Sequence, residues 1–543
     1  MFQFISRVAR GSQRGGASRL ILQNTGISIV ARFGGLLVGL IATPVVVSLT
    51  GLSNYGIWVI VSSLVGYIGS LNLGTGGTFM GQYSIYLARN DAIGVRLVTT
   101  FGFLFYFFLF IILSPLAYLL SLALNPWFHI PDALLPVITT LYWLLYLSFF
   151  ISQIQNMFRS LLRSTQNAGL VAILDLIVQV ANSIVLITSL MFHMSFYSFA
   201  IATYTSLIIS ITANILLIRK LLGPQLLCNP LLLRMAFIKS QLSFGGWIQL
   251  HDLSYLINME TDRLLIGSLS NTREAGIYQL ANKLAFVARI IPLNILGPIL
   301  PTMSEMNEAK QQMRIQNAVV DASRALGLIT FYLGGMVASC AYPLMWLWID
   351  RSMRDFVPML WVILATFAVN NLTGVGTTTL RAFGKPRLEA NYAIIAAALN
   401  IILTLALIRP LGLWGILVAT LIGQIAGSSY FVWKFYGAIG MSLREGFLDW
   451  IWPILISTAF SCLSSAGVYV TLLRSLHPSR STAIVEIALI GIVYSLSFGV
   501  PLVSLRYFTP RDTHRLRELI PVRFRGAATN KLLDLLSNQR GSQ

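Results

Sequence analysis

Residues 24–91 read NTGISIVARFGGLLVGLIATPVVVSLT-GLSNYG-IWVIVSSLVGYIGSLNLGTGGTFMGQYSIYLARND, and the fold follows from how they are parsed. Two apolar runs, near 20–49 and 56–80, are each long enough to cross a bilayer. Between them lies only Gly51-Leu-Ser-Asn-Tyr-Gly56, room for a turn and nothing more. The first run carries one charge, Arg32, in the middle of an otherwise uncharged stretch. An arginine at the bilayer centre costs about 2.5–3.5 kcal/mol on insertion scales, so such residues face a bundle interior or a wet cavity. Gly34, Gly35 and Gly39 strip bulk from the helix beside it, and Pro44 gives it a place to bend. The favoured reading is a cavity-facing guanidinium that pairs with a phosphate or carboxylate. The alternative is an internal salt bridge to a helix acid such as Asp175.

Working outward, the same pattern fills the chain. Of 543 residues, 56% are apolar and only 10% charged, too few to clothe a soluble domain of this size. Runs long enough to span recur near 96–122, 134–158, 168–191, 195–218, 240–268, 275–303, 323–349, 356–380, 388–408, 411–435, 448–473 and 482–505. The expectation is an all-α polytopic membrane protein of about fourteen transmembrane helices. With the N-terminus inside, about 28 of the 38 lysines and arginines fall on the cytoplasmic side and about 7 outside, which fixes an N-in, C-in orientation. The net charge of +19 is thus read as loops and tails facing anionic lipid. The basic segment 1–19 (Arg7, Arg10, Arg14, Arg19) has the composition of a mitochondrial targeting peptide, but reads better as an amphipathic cytoplasmic lead-in. The tail 506–543 is basic without any nucleic-acid-binding module, so lipid, not nucleic acid, is its expected partner.

The chain also resembles itself. Gly56-Ile-Trp58 opens the second run and Gly276-Ile-Tyr278 the eighth, at an offset of 220. Phe196-Tyr-Ser-Phe-Ala-Ile-Ala-Thr203 aligns with Leu413-Trp-Gly-Ile-Leu-Val-Ala-Thr420 at an offset of 217. Both offsets join helices six apart, and an even number preserves orientation, so the expectation is two parallel six-helix repeats, 20–218 and 240–435. A cytoplasmic loop, 219–239, joins them, and two further helices lie at 448–505. In transporters of such construction the substrate site lies between the halves.

Polar residues within the runs are the candidate site. On the eighth run Lys283 and Arg289 are six residues apart, about 120° around a helix, so they cannot share one face. One faces the cavity while the other pairs with a neighbour or reaches water, and Lys283 is preferred for the cavity. The seventh run concentrates Gln249, His251, Asp252, Asn258, Glu260 and Asp262. Asp252 and His251 fall near its middle, where an acid or histidine can take up protons or sodium and couple an ion gradient. Glu260 and Asp262 are candidates for the same role, or for an outer gate with Arg263 and Arg273. Asp175, with Gln179 and Asn182 on one stripe of the fifth run, is either a further coupling acid or helix–helix glue.

What is missing from the sequence also narrows function. No GxxxxGK[ST] loop, HExxH pair or GxSxG elbow occurs, so neither ATP hydrolysis nor these hydrolytic chemistries are expected. Cys228, Cys340 and Cys462 have no metal-ligand spacing, and no cofactor is expected. Loops of at most about twenty residues leave no room for a catalytic domain, which argues against a membrane glycosyltransferase or ligase.

The run Leu52-Ser-Asn-Tyr-Gly-Ile-Trp-Val-Ile-Val-Ser-Ser-Leu-Val-Gly-Tyr-Ile-Gly-Ser-Leu-Asn-Leu-Gly74 resembles the first-loop and second-helix signature of polysaccharide transporters. These are the O-antigen-flippase branch of the multidrug/oligosaccharidyl-lipid/polysaccharide (MOP) flippase superfamily. Thr261-Asp-Arg-Leu-Leu-Ile-Gly267, Ala275-Gly-Ile-Tyr-Gln-Leu-Ala-Asn-Lys283 and Gly412-Leu-Trp-Gly-Ile416 extend the likeness. The resemblance implies two six-helix lobes forming a V, two additional helices, and alternating access for a lipid-linked oligosaccharide in the bacterial cytoplasmic membrane, alongside polymerase and export machinery. It implies that basic residues of the first and eighth helices, here Arg32 with Lys283 or Arg289, meet substrate phosphates. Where many relatives carry an acid at the end of the second helix, this chain has Asn72. An ion-coupled multidrug exporter of the same superfamily is the rival, but it calls for twelve helices and an acidic cavity.

Overall fold

A computed structural model of the chain describes residues 16–70, 75–223, 237, 261–385, 387–473 and 479–508. Helices and the turns between them account for the described residues, with no strand among them. The chain divides into two compact units, Met1–Gln279 and Leu280–Gln543.

The first unit opens with α1 (Gly16–Thr50) and α2 (Leu52–Ser70), separated by Gly51 alone. Gly51 has φ +76°, a left-handed conformation that side-chain-bearing residues rarely adopt. Its amide closes on the Val47 carbonyl at 2.8 Å and its carbonyl receives the Tyr55 amide at 3.0 Å. The expected six-residue turn is therefore one residue long, because Leu52–Tyr55 already belong to the next helix. The expected span 56–80 falls in two elements, α2 and the short α3 (Thr75–Ala88). The α4 helix (Ala92–Leu122) is capped by Asp91, whose carboxylate accepts the Gly94 amide at 2.9 Å. Then come α5 (Leu135–Ser164), α6 (Ala168–Met191) and α7 (Tyr197–Leu222).

Two local devices set the packing of this unit. Tyr142 and Tyr146 of α5, both fully buried, donate to the α4 carbonyls of Ala117 (2.8 Å) and Phe110 (2.7 Å), on either side of Pro115. The glycines of α1 let α6 lie close alongside. Leu176 packs on Gly34, and the Gln179 amide donates to the Gly35 carbonyl at 2.8 Å. Asn24 donates to the Gln166 carbonyl at 2.8 Å and accepts the Gly169 amide at 3.3 Å. These three contacts rise together along both helices, so α1 and α6 run parallel.

The boundary between the units falls within α8 (Thr272–Leu293), after Gln279. In the second unit, α9 (Leu296–Glu308) follows a break just past Pro292. The pair α10 (Gln312–Ser339) and α11 (Ala341–Trp348) bends by 68°. Next come α12 (Val357–Asn371), α13 (Gly374–Ala382), α14 (Arg387–Leu411) and α15 (Leu413–Ala438). The last two helices are α16 (Asp449–Val468) and α17 (Arg480–Ser504). Gly423 and Gly427 seat α15 on the backbone of α14, and Gly327 and Gly335 of α10 receive Trp450 of α16 and Tyr494 of α17.

Eleven described helices are long and apolar enough to cross a membrane, twelve with the bent pair α10–α11 as one span. Two of the fourteen expected spans are not among these. The eighth is broken between α8 and α9, and α8 carries Arg273, Glu274, Lys283 and Arg289. Most of the seventh, 240–260, lies outside the described residues, as do Asn72, Cys228 and most of the basic lead and tail.

Element boundaries recur at a fixed interval, the one that separates Gly56 from Gly276. The starts of α2 and α8, Leu52 and Thr272, are spaced by it. So are the ends of α3 and α9, Ala88 and Glu308, and the starts of α4 and α10, Ala92 and Gln312. Asn90 (φ 55°) and Lys310 (φ 53°) close the two corresponding helices in the left-handed conformation. The Asp91 and Gln311 amides then bond back to Tyr86 (2.9 Å) and Met306 (3.0 Å). The helices α7 and α15 are both 26 residues long, and their starts, Tyr197 and Leu413, stand one position closer than the sequence alignment implied.

Candidate functional site

Asn24 ties α1 to the α5–α6 turn, and Arg32 lies eight residues further, about 12 Å along the helix. It is the seventeenth residue of the 35-residue helix Gly16–Thr50. Ala31 and Gly35 on one side of the helix are buried, while the Arg32 side chain is exposed. The register of Leu176 on Gly34 puts Arg32 level with Asp175 of α6.

Asp175 does not make its close ion pair with Arg32. Its carboxylate is held by two arginines of α5, Arg159 Nη2 at 2.8 Å and Arg163 Nη2 at 3.6 Å, with Arg32 within electrostatic range. Arg159 also reaches Ser210 Oγ of α7 at 3.4 Å, and that hydroxyl is shared with the amides of Gln155 and Asn214. Arg159 Nε and Asn214 Oδ1 are buried without a hydrogen-bond partner among the described residues. Arg159 is mostly buried, while the side chain of Arg163 is 42% exposed. The sequence reading missed this cluster because it ended the fourth span at 158 and assigned both arginines to a loop. The helix instead continues to Ser164. A usable signal was present: two arginines four residues apart share one helix face, and a lone acid on the next apolar helix needs a cation.

The two α8 candidates differ. Arg289 is buried, donates to Asn370 Oδ1 at 2.9 Å, and lies 4.7 Å from the centre of the Phe367 ring. Lys283 is half-buried, one turn and a half earlier on the same helix. Of the acids on the seventh run, Asp262 is buried and accepts from the Tyr278 hydroxyl at 3.3 Å. The neighbouring Thr261 hydroxyl bonds to Tyr67 of α2. His251, Asp252 and Glu260 lie outside the described residues. No group of three or more histidine, cysteine or acidic side chains suited to a metal occurs among the described residues.

Two glycines 220 residues apart, Gly56 and Gly276, meet each other. Gly56 of α2 lies against Thr272 and Gly276 of α8, where a Cβ would collide with the Thr272 carbonyl oxygen. A Cβ on Gly276 would lie 2.7 Å from the Leu52 carbonyl oxygen. Backbone contacts backbone here, with no side chain between.

Residues 88–358 match the model of a family described as polysaccharide biosynthesis protein. No curated protein sequence matches the chain. Among solved structures, the lipid II flippase MurJ in an inward closed conformation superposes with a TM-score of 0.65 at 15% identity, over 87% of this chain and 97% of that one. An inward-facing multidrug resistance MATE family transporter of the MOP superfamily gives 0.61 at 14%, over 76% and 96%. An outward-facing transporter of that family gives 0.55 at 13%, over 80% and 98%. These likenesses are of fold.

Proposed function

We propose that the chain is a membrane transporter of the MOP superfamily, allied to the polysaccharide biosynthesis proteins whose model matches residues 88–358, and that it flips a lipid-linked oligosaccharide. The cargo is a glycan on a polyprenyl pyrophosphate, moved from the inner to the outer leaflet of a bacterial cytoplasmic membrane for polymerisation and export. The lobes are 20–218 and 240–435, with 448–505 as two added helices and both termini in the cytoplasm. Arg32 and Lys283 hold the pyrophosphate, while Arg289, already engaged by Asn370 and Phe367, supports the helix that carries Lys283. Asp252, His251, Glu260 and Asp262 are candidates for coupling to a proton or sodium gradient.

One observation carries this reading: Arg32 is an exposed guanidinium on a helix with no other charge between Asn24 and Thr50. A cation kept at that cost must be matched by an anion, and a phosphate-linked headgroup supplies one. A cationic drug would be repelled by the same charge. In cells that depend on this chain for surface polysaccharide, Arg32→Ala at equal protein level should accumulate lipid-linked glycan and lose surface polymer. Unchanged surface polymer would remove Arg32 from the mechanism.

A further inference from the structure

The cluster around Asp175 holds three cations to one anion. Arg159 is fixed from two sides, by Asp175 and by Ser210. Arg163 is not: its contact with Asp175 is long, 3.6 Å, and its side chain is 42% exposed. Arg32, level with them on α1, is exposed as well. Like charges gathered in a low-dielectric setting repel unless a further anion arrives. The surroundings show what kind of anion fits. Ile29 (38% exposed) and the half-buried Leu36 stand one turn before and one turn after Arg32 on its own face of α1. A charged head can meet the guanidiniums while an apolar chain lies along these residues, and a free anion would use only half of that surface.

We propose that Arg32 and Arg163 form a receiving site for the phosphate of a lipid headgroup, with Asp175, anchored by Arg159, as an exchangeable counter-ion. Before the lipid arrives, Asp175 occupies Arg159 and Arg163. On arrival the phosphate takes Arg163 and Arg32, and Asp175 stays with Arg159. Departure restores the Arg163–Asp175 contact, so the acid lowers affinity and keeps the site reversible. This rests on the flippase reading and adds to it a further headgroup contact on α5, with its counter-ion on α6.

The test uses the full chain in phosphatidylcholine nanodiscs, with radiolabelled farnesyl pyrophosphate as the probe. Arg163→Ala should weaken binding about tenfold or more, since it removes a charge-assisted contact. Because this side chain is half exposed, the variant should fold, which gel filtration checks. Asp175→Asn should tighten binding several-fold by removing the competing carboxylate, an effect a purely structural acid would not give. Unchanged binding in Arg163→Ala, or weakened binding in Asp175→Asn, overturns the proposal. Inorganic pyrophosphate displacing the probe at equal concentration would assign a free-anion site instead, and full displacement by phosphatidylglycerol a bulk-lipid site; either overturns it. Loss in Arg32→Ala with wild-type binding in Arg163→Ala would leave the flippase reading standing alone. No loss in either variant would count against both.

Discussion

Arg289 and Lys283 are the same kind of residue six positions apart on one helix, and they differ in what surrounds them. Arg289 is buried against an amide and an aromatic ring, so its loss leaves Asn370 and Phe367 facing a void. Arg289→Ala should cost about 1.5–3 kcal/mol, the range for a hydrogen bond to a charged group, and lower the melting temperature of the purified protein. Lys283→Ala should leave that temperature near wild type while impairing lipid-linked glycan transport. Melting curves and the cellular accumulation assay, read on both variants, separate support from substrate contact. Equal destabilisation by both would place Lys283 in the scaffold too. The sequence supplied the 120° separation of these two residues but not their partners, since Asn370 and Phe367 lie about eighty positions away. Arg159 and Arg163 were missed for the same reason: whether an arginine at a helix end turns to water or inward depends on the helix beside it, here on where Asp175 stands.

At the scale of elements, the joint between α2 and α8 is held by what its residues lack. Gly56 and Gly276 bring two helix starts together until backbone touches backbone, and the residues on either side of Gly56, Tyr55 and Ile57, are buried. Gly56→Ala forces the Cβ onto the Thr272 carbonyl oxygen, and the strain should cost about 1–3 kcal/mol. Gly66→Ala on the same helix is the control, because a Cβ there meets nothing within 4 Å. That substitution should be neutral or slightly stabilising, since alanine suits a helix better than glycine. Thermal melting of the two variants checks the contrast, and equal melting temperatures would mean the joint opens without cost. The motif was visible in the sequence as Gly56-Ile-Trp58 and Gly276-Ile-Tyr278, but only as a repeat. That the two copies touch depends on the helix crossing, which spacing along the chain does not encode. Helix positions were more legible, because an apolar run of spanning length leaves little choice: α6 occupies Ala168–Met191, as the hydropathy of 168–191 implied. The break between α8 and α9 falls just past Pro292, whose missing amide interrupts the helical hydrogen bonds. The one-residue turn at Gly51 was not legible, because Leu52-Ser-Asn-Tyr55 has the composition of a loop but the backbone of a helix.

For the whole molecule, the proposed orientation rests on charge and parity together. Asn90, next to Arg89, and Lys310, four residues before Arg314, close two helices 220 residues apart, each in the left-handed conformation. Between them the described residues hold α4, α5, α6, α7 and the broken helix α8–α9, five passes if each crosses. An odd number would put Asn90 and Lys310 on opposite faces and carry Lys310 and Arg314 outward, against the charge bias. In the proposed topology a sixth pass, expected from the sequence of 240–268, would restore parity and return both turns to the cytoplasm. Single cysteines test this after Cys228, Cys340 and Cys462 are replaced by serine or alanine. Asn90→Cys and Lys310→Cys should resist a membrane-impermeant maleimide in intact cells and react in inverted vesicles. His193→Cys, in the turn between α6 and α7, should show the reverse. Labelling of Lys310→Cys from outside, with Asn90→Cys protected, would mean that 240–268 does not cross. The two repeats would then be antiparallel, and the proposed sharing of one pyrophosphate by Arg32 and Lys283 would lose the parallel arrangement it requires.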